Sequence, residues 1–189
     1  MLQRLQDRIS TATLAVVAGA ALVLNLAATA WLNASYAASG FPVPYHEAQL
    51  SFDAQKIKGW YAFLIDNDTL GVYWQTQFID FAFIATVLVL HVSVLWLVSR
   101  LFAPGTRGRS VMLGVAALSA IAPLADAAEN LVSFVMLADP SGFPDALALV
   151  YSSLAAVKFA FFTLAYVALP LGVLVGLWQR WSGKRAVAH

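Results

Sequence analysis

The chain contains no cysteine. That excludes disulfides, thiolate zinc centres, cysteine-ligated iron–sulfur clusters and thiol nucleophiles. Charge is scarce as well. Lys, Arg, Asp and Glu make up 11% of the residues, against about a quarter in soluble domains. Neither sign dominates, and a net charge of +1 gives no footing for nucleic-acid binding. The three histidines, His46, His91 and His189, lie far apart and form no ligand pair of the HExxH kind. A metal site would have to rest on carboxylates, and neither a metal nor a cofactor is expected.

What fills the chain instead is apolar: 61% of its 189 residues are hydrophobic. Four stretches are each long enough to cross a hydrocarbon core, which takes about 20 helical residues. They fall at 11–32, 72–98, 111–137 and 146–179, within one domain spanning 1–189. The first exceeds the usual apolar core of a signal peptide, about 7–15 residues, and reads as a retained anchor. The expected fold is all-α, an integral membrane four-helix bundle whose partner is the lipid bilayer.

The positive residues set an expected orientation. Arg4 and Arg8 precede the first stretch, Arg100, Arg107 and Arg109 lie in the second loop, and Arg180, Lys184 and Arg185 follow the fourth. The first and third loops hold Lys56 and Lys58 against Glu47, Asp53, Asp66, Asp68, Asp139 and Asp145. Both termini are therefore expected in the cytoplasm, in a cell (plasma or inner) membrane. Trp31 and Trp74 at one boundary, and Trp96, Trp178 and Trp181 at the other, fit the aromatic belts of such an arrangement.

The second and third loops are short, so the last three stretches should be antiparallel neighbours. The first loop, 33–71, is long and patterned. Leu50, Ala54, Ile57, Tyr61 and Leu64 recur at helical spacing on one stripe. This predicts an amphipathic helix, either lying on the outer leaflet or folded as a lid over the bundle.

Ionisable residues inside transmembrane segments are costly and usually face the bundle interior. Four occur here: Asp80, Asp126, Glu129 and Lys158. At 1.5 Å per residue from the outer ends, Asp80, Glu129 and Asn25 lie roughly 12 Å deep, and Asp126 and Lys158 about 18 Å. Segments running in alternating directions thus place their polar groups in one layer. Asp126, Glu129 and Asn130 stand at i, i+3 and i+4 on one face, extended by Ser119 and Ser133. Pro123 cannot donate to the Ser119 carbonyl and invites a kink beside the acids. Tyr73 and His91 share a face with Asp80, and Tyr151 stands two turns from Lys158 on its side. A solitary helix-borne His91 reads as a packing residue.

With all four groups ionised the layer carries −2, which favours keeping at least one acid protonated beside a Lys158–carboxylate pair. That arrangement suits proton donation or relay. The expected catalytic groups are Glu129, Asp126 and Asp80, with Asn130, Lys158, Asn25, Tyr151 and Tyr73 orienting a substrate. A buried Lys–acid cluster can equally lock helices together through interhelical hydrogen bonds.

Asp80, the Asp126-x-x-Glu129-Asn130 motif and Lys158 resemble those of small bacterial four-helix membrane proteins with an acidic D-x-x-E-N signature. The resemblance spans about 61–166 and implies a fold and a site, not a reaction. The leading expectation is a protein that binds or converts a lipidic, isoprenoid-type molecule through a carboxylic acid, as an isomerase, cyclase or hydrolase would. The alternatives are a proton-coupled transporter or channel subunit, and a structural partner in a membrane assembly.

Overall fold

The computed structural model describes residues 9–187, and their side chains as far as residue 182. Arg4, Arg8, His189 and the side chains of Lys184 and Arg185 lie outside the described residues. Among the described residues, seven helices follow in order: α1 Thr11–Ser39, α2 Tyr45–Gln49, α3 Ala54–Asp66, α4 Leu70–Ser99, α5 Arg107–Leu118, α6 Ile121–Ala138 and α7 Asp145–Val187. No strand occurs among the described residues. Among the described residues, four helical segments are long and apolar enough to cross a membrane: Thr11–Ser39, Leu70–Ser99, Arg107–Ala138 and Asp145–Ser182. Their outward faces stay apolar, with Val23, Leu26, Leu124, Leu131, Leu171 and Leu174 all exposed. Such faces are at home in hydrocarbon rather than water.

The helix ends follow local chemistry. Ser10 caps α1, its hydroxyl accepting from the Thr13 N–H. The helix continues two turns past the expected boundary at residue 32, because Ser35 bonds Thr76 of α4 (2.7 Å) and Ser39 returns its hydroxyl to the Tyr36 carbonyl. It stops at Gly40, whose φ of 65° is the left-handed cap that glycine adopts without strain. The expected third span is two helices, not one. Ala120 bonds back to Ala117 in a tighter turn, and Pro123, one turn further on, has no N–H for the carbonyl of Ser119. The break therefore sits just before the acidic motif and aims α6 independently of α5.

α1 packs along α4, while α6 and α7 pack on each other and on α4. Side chains tie the helices across these seams: Asn130 of α6 meets Asp80 of α4, and Lys158 of α7 meets Asp126 of α6. At the end carrying α5, an apolar cluster of Leu95, Val98, Phe102, Met112, Ala116 and Ala165 closes the interior. Arg180 there donates to the carbonyls of Arg100 and Leu101, just past the end of α4.

At the opposite end the long first loop folds over the helices. Ala54, Ile57, Tyr61 and Leu64 of α3 are buried against Tyr73, Met136, Leu137, Phe143, Ala148 and Tyr151. The anticipated stripe thus seals the bundle, with one correction. Leu50 lies outside α3, follows α2 as its C-terminal cap and is 40% exposed. Asp53 starts α3 by accepting from the N–H groups of Gln55 and Lys56. Lys58 pairs with Asp145 at the start of α7 (2.7 Å), an exposed contact worth at most about 1 kcal/mol. Burial of the stripe contributes more, at about 1.5–3 kcal/mol for each large apolar side chain.

Candidate functional site

The acids meet in one cluster because α4, α6 and α7 turn their polar stripes toward each other. Lys158 Nζ lies 2.9 Å from Asp126 Oδ1 and 2.5 Å from Glu129 Oε2. It also faces the Phe159 ring, 5.1 Å from its centre. Asn130 donates from Nδ2 to Asp80 Oδ2 at 2.8 Å. The i, i+3, i+4 spacing on α6 thus serves two neighbours: Asp126 and Glu129 hold α7, and Asn130 holds α4. All five side chains are buried, Glu129 completely so. Glu129 Oε1 has no hydrogen-bond partner.

Burial is not the same as closure. A cavity of about 440 Å³ has Asp80, Asp126 and Lys158 in its wall. Phe83, Phe159 and Phe162 line it with rings, and its rim at Asn33, His46, Thr163 and Tyr166 is exposed between α1 and α7. Glu129 does not reach it and stands behind Lys158. Among the carboxylates the sequence singled out, Asp80 and Asp126 are therefore the two that line the cavity.

The remaining candidates separate from this group. Asn25 binds Thr86 of α4 across the α1–α4 seam (3.2 Å), so it fastens helices and does not line the cavity. Tyr73 and Tyr151 are buried in the apolar cluster under α3 and are likewise absent from the wall. They roof the site with Tyr61. Burial pushes the Tyr61 phenol above its usual range; the Ser133 hydroxyl beside it pulls the other way, and the Glu129 charge adds to the rise. His91 packs edge-on against Phe162 and Tyr166, with ring centres 5.6 and 5.3 Å apart.

The wall also holds residues that sequence reasoning passed over: Tyr45, His46 and Gln49, all on the short helix α2. Gly40, Pro42 and Pro44 fold the chain back after α1. Tyr36 then fixes the turn by donating its hydroxyl to the Val43 carbonyl (2.6 Å) and stacking on Tyr45 at 3.6 Å. The Tyr45 hydroxyl is buried and has no partner. Its pKa is raised above the ordinary tyrosine range, by burial first and then by the charges of Asp80, Tyr36 and Asp126, which keeps it a neutral O–H. The two prolines bracketing Val43 were the available signal. They mark a turn, but not which residue the turn delivers to the acids.

No group of three or more metal-ligating side chains occurs among the described residues. The donor set suits proton exchange and hydrogen bonding, since a lysine occupies the centre where a cation would sit. In comparisons with known proteins, the chain matches no protein-family model, no curated protein and no solved structure.

Proposed function

We propose that this is a multi-pass cell-membrane protein, a four-helix bundle with both termini in the cytoplasm, that binds a lipidic molecule and converts it by acid–base chemistry. The observation that carries this reading is the cavity of about 440 Å³, in which two carboxylates and aromatic rings share one wall. Its exposed rim lies between apolar helix faces, so a molecule already dissolved in the bilayer reaches it sideways. Asp126 and Asp80 are the acid–base groups in contact with the ligand. Lys158, held by Asp126 and Glu129, offsets one of the negative charges; Asn130 orients Asp80. Tyr45 supplies a neutral hydroxyl from above.

Two other readings have weaker support. A proton-coupled transporter needs a polar route to the other face, and the cluster of Leu95, Val98, Phe102 and Met112 offers none. A purely structural lock is favoured by the mutual pairing of Lys158 with two acids. It accounts neither for the cavity nor for the unpartnered Tyr45 hydroxyl.

The test is extraction of small apolar molecules from protein purified in mild detergent, followed by mass spectrometry. Wild type should retain a defined lipid that Thr29→Trp, which fills the cavity, loses. Incubation with a total membrane lipid extract should yield a new product with wild type and none with Asp126→Asn. A wild-type protein that retains nothing above the detergent background, and leaves the extract unchanged, overturns the reading.

A further inference from the structure

A second cavity, of about 410 Å³, lies further from α3 along the same seam. Ala18, Gly19 and Leu22 of α1, His91 and Leu95 of α4, and Leu169 of α7 form its wall. Tyr166 lines both cavities, which lie one after the other in the groove between α1 and α7, floored by α4. From Lys158 to Leu169 the groove runs about 16 Å along α7. One end is acidic and the other is apolar.

The acidic end has a definite imbalance. Its three carboxylates face one ammonium, and Lys158 is already engaged by Asp126, Glu129 and the Phe159 ring. Asn130 takes Asp80 Oδ2 and Lys158 takes Asp126 Oδ1, leaving Asp80 Oδ1 and Asp126 Oδ2 without a protein donor among the described residues. Both side chains are more than nine-tenths buried and line the cavity. The Tyr45 hydroxyl beside them is buried without a partner. The complement of such a wall is a cationic donor of hydrogen bonds, and the ring faces around it attract cations.

We propose that the ligand is a long-chain amphiphilic amine, its ammonium between Asp80 and Asp126 and its chain lying in the groove past Tyr166 toward His91 and Leu95. This rests on the lipidic reading above and specifies its head and tail. The ammonium answers the surplus negative charge, donates to the two open carboxylate oxygens and to Tyr45, and lies against Phe83 and Phe162. The chain replaces lipid tails against Leu22, Leu95 and Leu169.

Hexadecylamine, octylamine, hexadecanol and hexadecanoate are the probes, titrated against full-length protein in a neutral maltoside detergent, with the thermal unfolding midpoint and native mass spectrometry as readouts. Hexadecylamine should bind at least tenfold more tightly than hexadecanol, since a hydrogen bond to a charged group discriminates by about that factor. Hexadecanoate should not bind. Asp80→Asn, which keeps the shape and the Asn130 contact, should erase the preference for amine over alcohol without lowering the unligated unfolding midpoint. Octylamine should bind more weakly than hexadecylamine, and in Gly19→Phe the two should bind alike. A Cβ added at Gly19 meets nothing within 4 Å, and Gly19 lines the second cavity, so the backbone there accepts a side chain that occupies that chamber.

Equal binding of amine and alcohol, unaffected by Asp80→Asn, overturns the amine while leaving the lipidic site standing. Indifference to chain length in wild type overturns the course of the tail. Failure of all four probes, together with no retained lipid in the purified protein, takes down both this proposal and the function it rests on.

Discussion

Replacing Lys158 by Met tests whether the charged cluster is real, and the size of the effect can be worked from the geometry. The side chain is 4% exposed and touches Asp126 at 2.9 Å and Glu129 at 2.5 Å. Unit charges roughly 4 Å apart attract by about 4 kcal/mol at an effective dielectric of 20, so two partners give about 8 kcal/mol of gross attraction. Desolvation of each ion takes back several kcal/mol, which is why such clusters add little net stability when formed. Deletion is a different matter. Met matches the length of the stem but strands two carboxylates in a site built around a cation, and breaking a buried pair costs about 3–5 kcal/mol. The assay is equilibrium unfolding in mixed detergent micelles, read by tryptophan fluorescence. Lys158→Met should lose about 3–5 kcal/mol, and adding Asp126→Asn or Glu129→Gln should return part of that loss, because each removes a stranded charge. The acid whose neutralisation returns more is the dominant partner of Lys158. A Lys158→Met protein within about 0.5 kcal/mol of wild type would mean that the ammonium extends to water. The cluster, and the function built on it, would then have no basis.

Asn130→Leu removes the donor to Asp80 Oδ2 and should destabilise by about 1–3 kcal/mol in the same unfolding assay; an unchanged midpoint would mean that Asp80 is held by other groups. Tyr61→Ala empties a position that is 1% exposed on the buried face of α3 and should cost about 3–5 kcal/mol. It should also speed trypsin cleavage at Lys56 and Lys58, whereas a cap that merely rests on the lipid surface would show neither effect. For the orientation, cysteines are introduced at the exposed positions Gln55 and Ala103 of this cysteine-free chain. A membrane-impermeant maleimide added to intact cells should label Gln55→Cys and not Ala103→Cys; the reverse pattern would invert the topology.

The helical class, the four long apolar segments and the pooling of Asp80, Asp126, Glu129, Asn130 and Lys158 were legible in the sequence. Each rests on a short-range regularity: segment length against bilayer thickness, and the i, i+3, i+4 spacing that puts side chains on one helix face. The stripe of α3 was legible for the same reason, from Ala54 to Leu64. Pro123 announced the break before α6 because a missing N–H is a local property.

What only the tertiary structure decided is how those faces are rotated against one another. Asn25, Tyr73 and Tyr151 lie at plausible depths, yet Asn25 turns to Thr86 while the tyrosines enter the roof under α3. Depth follows from counting residues along one helix; rotation depends on side chains of two helices interlocking, which no single segment encodes. The same holds for Glu129, placed behind Lys158, and for Asp80, placed on an open wall. Tyr45 is the sharpest case. It reaches the acids only because Gly40, two prolines and the Tyr36 hydroxyl fold residues 40–49 back over a helix more than thirty positions away in the chain. The cavity itself is a gap between α1 and α7, and a gap is a property of packing rather than of any residue.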